Sequence, residues 1–246
     1  MRLDKYISAA AGLSRRDASK AIAKGRVSVD GAVMRDGASQ IAENAAVTLD
    51  GAAVTYEKYI YIMLNKPSGY ITATEDARPG ERVVTDLLPP ELMRRGLFPV
   101  GRLDRDTTGL LLITNDGASA HRALSPKHHV KKSYRFTCSP PLTAEMAEAL
   151  ESGVDIGEKN AAGAVVLTAP AKIDGDIITI TEGKFHQIKR MFSAVGSGIT
   201  SLSRVEFAGI ELDASLGAGE WRYLDEREIT LFTGGGRQTK NEGENT

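Results

Sequence analysis

The spacing of apolar residues changes period several times along the 246-residue chain. Near the start, Leu3, Tyr6 and Ile7 recur at helical spacing, and Gly12 supplies a stop. Ser14 suits the N-cap of the next helix, SRRDASKAIAK, and Gly25 ends it. On that helix Ala18, Ala21 and Ile22 can face inward, while Arg16, Lys20 and Lys24 recur every four residues as one basic stripe. RVSVDG alternates into an Asp-Gly turn and AVTLDGAAV repeats the pattern, so short strands and tight turns are expected. These periods predict a small helix-helix-strand module over residues 1–58, with a boundary near Glu57-Lys58.

Residues 59–232 predict a larger domain. KYIYIMLNKPSGYIT reads as a strand entering a Pro/Gly turn, and TGLLLIT as a solidly apolar strand. A helix over 117–124 follows, capped by Asn115 or Asp116. KKSYRFTCS alternates as a strand, and Thr143 caps a helix reaching about Ser152. AVVLTA and DIITIT read as strands, the second preceded by a turn at Asp174-Gly175. FHQIKRMFSAV is helical up to Gly196, and SLSRVEFAGIEL is a further strand. Strands outnumber helices and do not alternate with them regularly. The expected class is therefore α+β with a mainly antiparallel mixed sheet. The polar, Gly-rich stretch over 233–246 is expected to be a disordered tail.

Charge changes this picture through its distribution. The formal net charge of −1 argues against a nucleic-acid partner. Yet residues 1–35 hold eight basic side chains (Arg2, Lys5, Arg15, Arg16, Lys20, Lys24, Arg26 and Arg35) against Asp4, Asp17 and Asp30. From His121 to Arg135 there are further Lys and Arg residues, His121, His128 and His129, and no acid. Local charge sets the field that a phosphate backbone feels. The histidine group lacks the carboxylate or cysteine pattern of a metal site and reads either as a phosphate-contacting rim or as solvated loop residues. Cys138 is the single cysteine, no apolar run reaches membrane-spanning length, and MRLDKYIS places charges where a secretory leader needs apolar residues. A cytoplasmic protein without membrane contact is expected.

The densest chemical signal is FPVGRLDRDTTGLLLITNDG over 98–117. Asp104 stands between a turn and an apolar strand, where desolvation raises a carboxylate pKa unless a cation compensates. One alternative is a structural Asp that caps the turn through backbone N–H groups. Another follows from Asp104, Asp106 and Thr108, which have the DxDxT spacing of haloacid-dehalogenase-type phosphatases. That motif comes after an apolar strand, whereas here the apolar strand comes after the motif.

The GRLDxxTTGLLLxTxDG string resembles the catalytic motif of rRNA pseudouridine synthases, in the small-subunit (16S) branch. LNKPSG at 64–69, KxYxF at 132–136 and EGKFHQIKRMF at 182–192 appear in that family's order. RLDKYIS, GLSRRDASKAIAK and GRVSVDG resemble the alpha-L RNA-binding module. The resemblance implies that Asp104 is the essential aspartate of an isomerisation needing no cofactor and no metal. It implies that Lys189 holds that carboxylate ionised and that Tyr134 stacks on the uracil. Arg102 would fill the space left by the extruded base, Ile188 would form a pocket wall, and Lys66 and Arg190 would contact substrate. Arg15, Arg16, Lys20, Lys24 and Arg26 would bind RNA. The implied partner is ribosomal RNA of the small subunit, met by a monomer in an assembly intermediate. The target uridine must leave its stack before any side chain reaches it.

Overall fold

A computed structural model describes residues 1–42, 44–74 and 80–234. The chain divides into two units, residues 1–60 with 88–97, and residues 61–87 with those from 98 onward.

The first unit begins with α1 (Leu3–Ala10) and α2 (Arg15–Ala23). Ser14 caps α2 by accepting the Asp17 amide at 3.1 Å. β1 (Val27–Val29) pairs antiparallel with β2 (Ala32–Met34) and β3 (Val47–Leu49), and β3 pairs with β4 (Ala52–Ala53). Both Asp-Gly turns form as expected, with Asp30 and Asp50 at positive φ. Leu3, Tyr6, Ile7, Ala18, Ile22, Val27 and Val47 share one core, so the apolar faces of both helices cover the small sheet. The short helix α3 (Pro90–Met93) lies in the segment that joins this unit from further along the chain. There Arg95 donates to the Ala9 carbonyl at 3.2 Å and to the Glu57 carbonyl.

The second unit is organised by a nine-stranded sheet. Its strands are β5 (Tyr61–Lys66), β6 (Phe98–Pro99), β7 (Thr108–Thr114), β8 (Lys132–Ser139), β11 (Lys172–Asp174), β12 (Ile177–Ile180), β13 (Gly198–Phe207), β14 (Ile210–Glu211) and β15 (Trp221–Tyr223). β9 (Asp155–Lys159) and β10 (Val165–Leu167) form a separate antiparallel ribbon. The helices are α4 (Gly117–Leu124), α5 (Ala144–Ser152), α6 (Gln187–Ala194) and α7 (Glu226–Thr233). Asp116, Thr143 and Asp225 cap α4, α5 and α7 through their side chains.

Two antiparallel half-sheets meet along a parallel seam. One half runs β15, β5, β7 and the other β13, β8, β12, β11. At the seam Thr108 and Gly109 of β7 lie beside Ser203 and Arg204 of β13. The approach is so close that a Cβ on Gly109 would sit 2.3 Å from the Arg204 carbonyl oxygen, and Gly109 has φ +93°. Only glycine fits. β5 and β7 are apolar almost throughout because both of their faces are covered.

Several details differ from the sequence expectations. AVVLTA yields β10, but in the exposed ribbon rather than the main sheet. SLSRVEFAGIEL folds into the hairpin β13–β14, turned at Ala208-Gly209. α7 ends at Thr233, and the expected tail lies from residue 235 on outside the described residues. Among the described residues no helix is long and apolar enough to cross a membrane.

Candidate active site

Asp104 lies in the turn that feeds β7, directly at the seam. The turn is fixed from several sides. Thr72 Oγ1 donates to the Leu103 carbonyl at 2.8 Å and accepts the Leu103 amide at 3.1 Å. The Thr107 amide donates to the Asp104 carbonyl at 3.2 Å. Gly101 is at φ +77°, a conformation that favours glycine, and a Cβ there would push Leu124 Cδ2, 2.8 Å away, aside.

The opposing wall comes from the other half-sheet. The first turn of α6 brings Lys189 Nζ to 3.1 Å from Asp104 Oδ2 and 2.6 Å from Asp106 Oδ1. His186, the N-cap residue, places Nε2 3.5 Å from Asp104 Oδ1. Each Asp104 carboxylate oxygen therefore faces a nitrogen of α6 or its cap, and a helix N-terminus favours negative charge there. Burial works against the Lys189 charge, but its hydrogen bonds to Asp106 and Asp104 outweigh burial and raise its pKa. The Lys189 hydrogen bond, opposed by desolvation, holds the Asp106 carboxyl below its ordinary range. About a quarter of the Asp104 side chain remains exposed, so the carboxylate is paired yet reachable.

Tyr134 stands on β8, in register with Arg204 of β13, which is itself in register with Gly109. Two strand spacings separate Tyr134 from β7, about 10 Å. Phe136 packs edge-on against Phe192 of α6, ring centroids 4.9 Å apart. Side chains two apart on a strand share a face, so Tyr134 faces the side that α6 covers. It is 7% exposed.

With this geometry in hand, the profile described as RNA pseudouridylate synthase matches residues 60–194, more than half the chain. The chain belongs to the RNA pseudouridylate synthase family. An S4 domain profile matches residues 1–47 of this synthase. It is 42% identical to the uncharacterized RNA pseudouridine synthase YtzG of Bacillus subtilis, over 94% of this chain and 98% of that one. It is 41% identical to the ribosomal small subunit pseudouridine synthase A of Escherichia coli, over 93% and 98%. A crystal structure of a pseudouridylate synthase superposes with a TM-score of 0.64 at 37% identity, covering 94% of this chain and 99% of that one. The α+β class and the mainly antiparallel sheet are those expected of the family.

The remaining expected residues of the synthase fall into two groups. Arg102 is exposed on the Asp104 turn, with no side-chain partner among the described residues. Ile188 is buried in α6 beside Lys189. Two others are engaged by partners within the protein. Lys66, expected to touch substrate, is fully buried on β5. Its ammonium donates to the carbonyls of Thr107 at 2.8 Å, Pro67 at 3.1 Å and Arg105 at 3.2 Å. Burial pushes its pKa down to about 8, against the pull of Asp106 and Asp104. Lys66 thus supports the Asp104 turn from beneath. Arg190 donates to Glu158 Oε1 at 2.7 Å, the Phe185 carbonyl at 3.0 Å and the Ile156 carbonyl. Its guanidinium ties α6 to β9, because a helix turns its successive residues by about 100° and Lys189 already faces Asp104.

The N-terminal cations are likewise unequal. Arg15 donates to Asp4 at 2.8 Å, and Arg26 clasps Asp50 with two nitrogens. Arg16, Lys20 and Lys24 are exposed, and the one ion pair they make among the described residues, Lys20 with Asp17, is long at 3.5 Å. In the 121–135 stretch Lys127, His128, His129 and Lys131 are exposed, whereas Lys132 bends in to the Val130 carbonyl. The DxDxT spacing falls on a turn that precedes its apolar strand, unlike the phosphatase arrangement.

His186 was not singled out in the sequence, although it lies within HQIK. The sequence reads His186 as part of the helix, whereas the structure starts α6 at Gln187 and leaves His186 as a left-handed N-cap residue.

Proposed function

We propose that this synthase converts one uridine of small-subunit ribosomal RNA to pseudouridine, with Asp104 as the essential carboxylate. The observation that carries the reading is the Asp104–Lys189 pair across the seam, paired but partly open. The relatives named for the ribosomal small subunit support the choice of RNA.

The reaction breaks the bond from uracil N1 to ribose C1′, turns the base, and joins C5 to C1′. The C5 proton leaves and N1 gains one, so atoms balance without a redox step. Asp104 has three routes open: attack at the sugar, attack at the base, or removal of the 2′ proton. Each needs the carboxylate within reach of the ribose or base, and Lys189 Nζ, 3.1 Å away, holds it in place. Tyr134 stacks on the extruded uracil, and Ile188 backs the pocket. Arg102, free and planar, occupies the gap left in the RNA stack. Arg16, Lys20 and Lys24 grip phosphates, so affinity falls with salt. The protein meets its RNA as a monomer on an assembly intermediate in the cytoplasm.

The test is tritium release from small-subunit RNA labelled at uridine C5. Asp104→Asn should abolish release while changing RNA affinity and melting temperature little. Release at the wild-type rate would refute the assignment of Asp104. Mapping pseudouridines in ribosomal RNA from cells with and without the protein names the nucleotide and tests the choice of subunit.

A further inference from the structure

The turn before α6 displays an aromatic group that the reaction described above does not use. Phe185 is 74% exposed, the most exposed of the large apolar side chains among the described residues. A lone exposed apolar side chain needs no explanation. Phe185 is not alone. Its ring stacks on that of His186 with centroids 3.8 Å apart and planes 20° apart. The same imidazole reaches Asp104 through its far nitrogen. Phe185, His186 and Asp104 thus form a short series leading from solvent to the catalytic carboxylate.

The turn holding this stack is tied by side-chain hydrogen bonds. Gln187 Oε1 accepts the Lys184 amide at 2.9 Å, and Gln187 Nε2 donates to Glu182 at 2.6 Å. The Phe185 carbonyl accepts from Arg190. His186 is left-handed at φ +48°, a conformation that is costly for a residue with a Cβ and that clusters at functional sites. A strained turn that offers an aromatic face to water, with Lys184 (paired with Glu182) and Lys189 (paired with Asp104 and Asp106) beside it, has the composition of a stacking site for unpaired RNA bases.

We propose that Phe185, backed by His186, is a base-stacking platform that holds a nucleotide flanking the target uridine. This rests on the reading of the chain as an rRNA-modifying synthase. Phe185 is a positioning residue: it fixes the strand so that the extruded base reaches Asp104, and it does not touch the reacting atoms. A sequence-tolerant π-face selects for an unstacked neighbour more than for a particular base.

The experiment uses the full chain with small-subunit RNA, comparing Phe185→Ala, Phe185→Leu and Phe185→Trp. Turnover and equilibrium binding are both measured. Loss of one base stack is worth about a 10-fold rise in KM and in Kd, with kcat at saturating RNA retained. Trp should restore binding and Leu should not, although Leu supplies apolar area. RNAs with a single abasic nucleotide at positions flanking the modified uridine complete the cycle. At one such position the abasic change should weaken the wild type as much as Phe185→Ala does, and the two together should add nothing. An unchanged KM and Kd for Phe185→Ala, equal rescue by Leu and Trp, or full additivity at every flanking position would overturn the proposal. A wild-type chain that makes no pseudouridine in this RNA would instead refute the functional reading, and the binding arm would still report on stacking.

Discussion

Helix α2 and the Asp104 turn both gather charge, and they treat it in opposite ways. On α2, Arg16, Lys20 and Lys24 stand in solvent, and the pair between Lys20 and Asp17 is long and exposed. Such a pair contributes little. At the Asp104 turn, Lys189 is held between two carboxylates, and Lys66 beneath it is spent on three carbonyls. Docking to a polyanion uses charges that are free to exchange small ions for phosphates. Chemistry on one bond uses charges whose positions are settled before substrate arrives. The contrast predicts that single substitutions are severe at the turn and mild, roughly additive and salt-dependent on α2.

After Asp104, the largest effect is expected at Lys189. Replacing it with Met removes the cation that the two carboxylates share, and kcat/KM should fall about 10²- to 10³-fold in tritium release. Lys189→Arg keeps the charge and should retain much of the rate. Equal loss in both variants would shift the explanation from charge to side-chain shape.

Next comes Lys66→Met, which takes a donor from the buried Thr107 carbonyl and from the half-buried Pro67 and Arg105 carbonyls, of which Arg105 keeps the Gly69 amide. It should cost about 3 kcal/mol of stability in urea unfolding near neutral pH. The group also has a pH signature. Its folded pKa of about 8 lies below the ordinary 10.5 because of burial. Below pH 8 folded and unfolded chains both hold the proton, and between 8 and 10.5 only the unfolded chain does. Stability from this group therefore rises with pH over that window. Lys66→Met should lack the rise, so the gap to wild type widens toward pH 10.5. A gap that stays constant with pH would mean that the ammonium is not desolvated in the folded chain.

On α2 the combined Arg16→Ala, Lys20→Ala and Lys24→Ala change should weaken RNA binding about 10- to 30-fold at moderate salt. Each should lower the slope of log affinity against log salt by about one. Arg26→Ala should be the smallest change, because its guanidinium already holds Asp50. If Arg26 proved as important as Arg16, pairing within the chain would be a poor guide to which cations meet RNA.

Much of this was legible in the sequence because it rests on local rules. Ser14, Asp116 and Thr143 announce their helices by capping, and the Asp-Gly pairs announce their turns. The GRLD and HQIK strings mark two segments that the fold brings together, Asp104 and Lys189 meeting at 3.1 Å. What stayed hidden depends on which way a side chain points. Lys66 reads as a turn lysine until Gly109 is seen opposite it on β7, which seats the ammonium beneath residues 105–107. Arg190 reads as a substrate contact until α6 is in place and Lys189, one residue earlier, has taken the inward direction. β9 was missed because GVDIGEK has few apolar residues, and its partner strand is itself exposed.

The parallel seam carries a consequence for biosynthesis. β7 can pair at once with β5 and β6, which precede it, but its parallel partner β13 is made almost ninety residues later. A nascent chain halted before residue 198 would hold Asp104 on one half-sheet and Lys189 near the other with no shared edge to align them. Chains that end before residue 198 should therefore release no tritium from uridine.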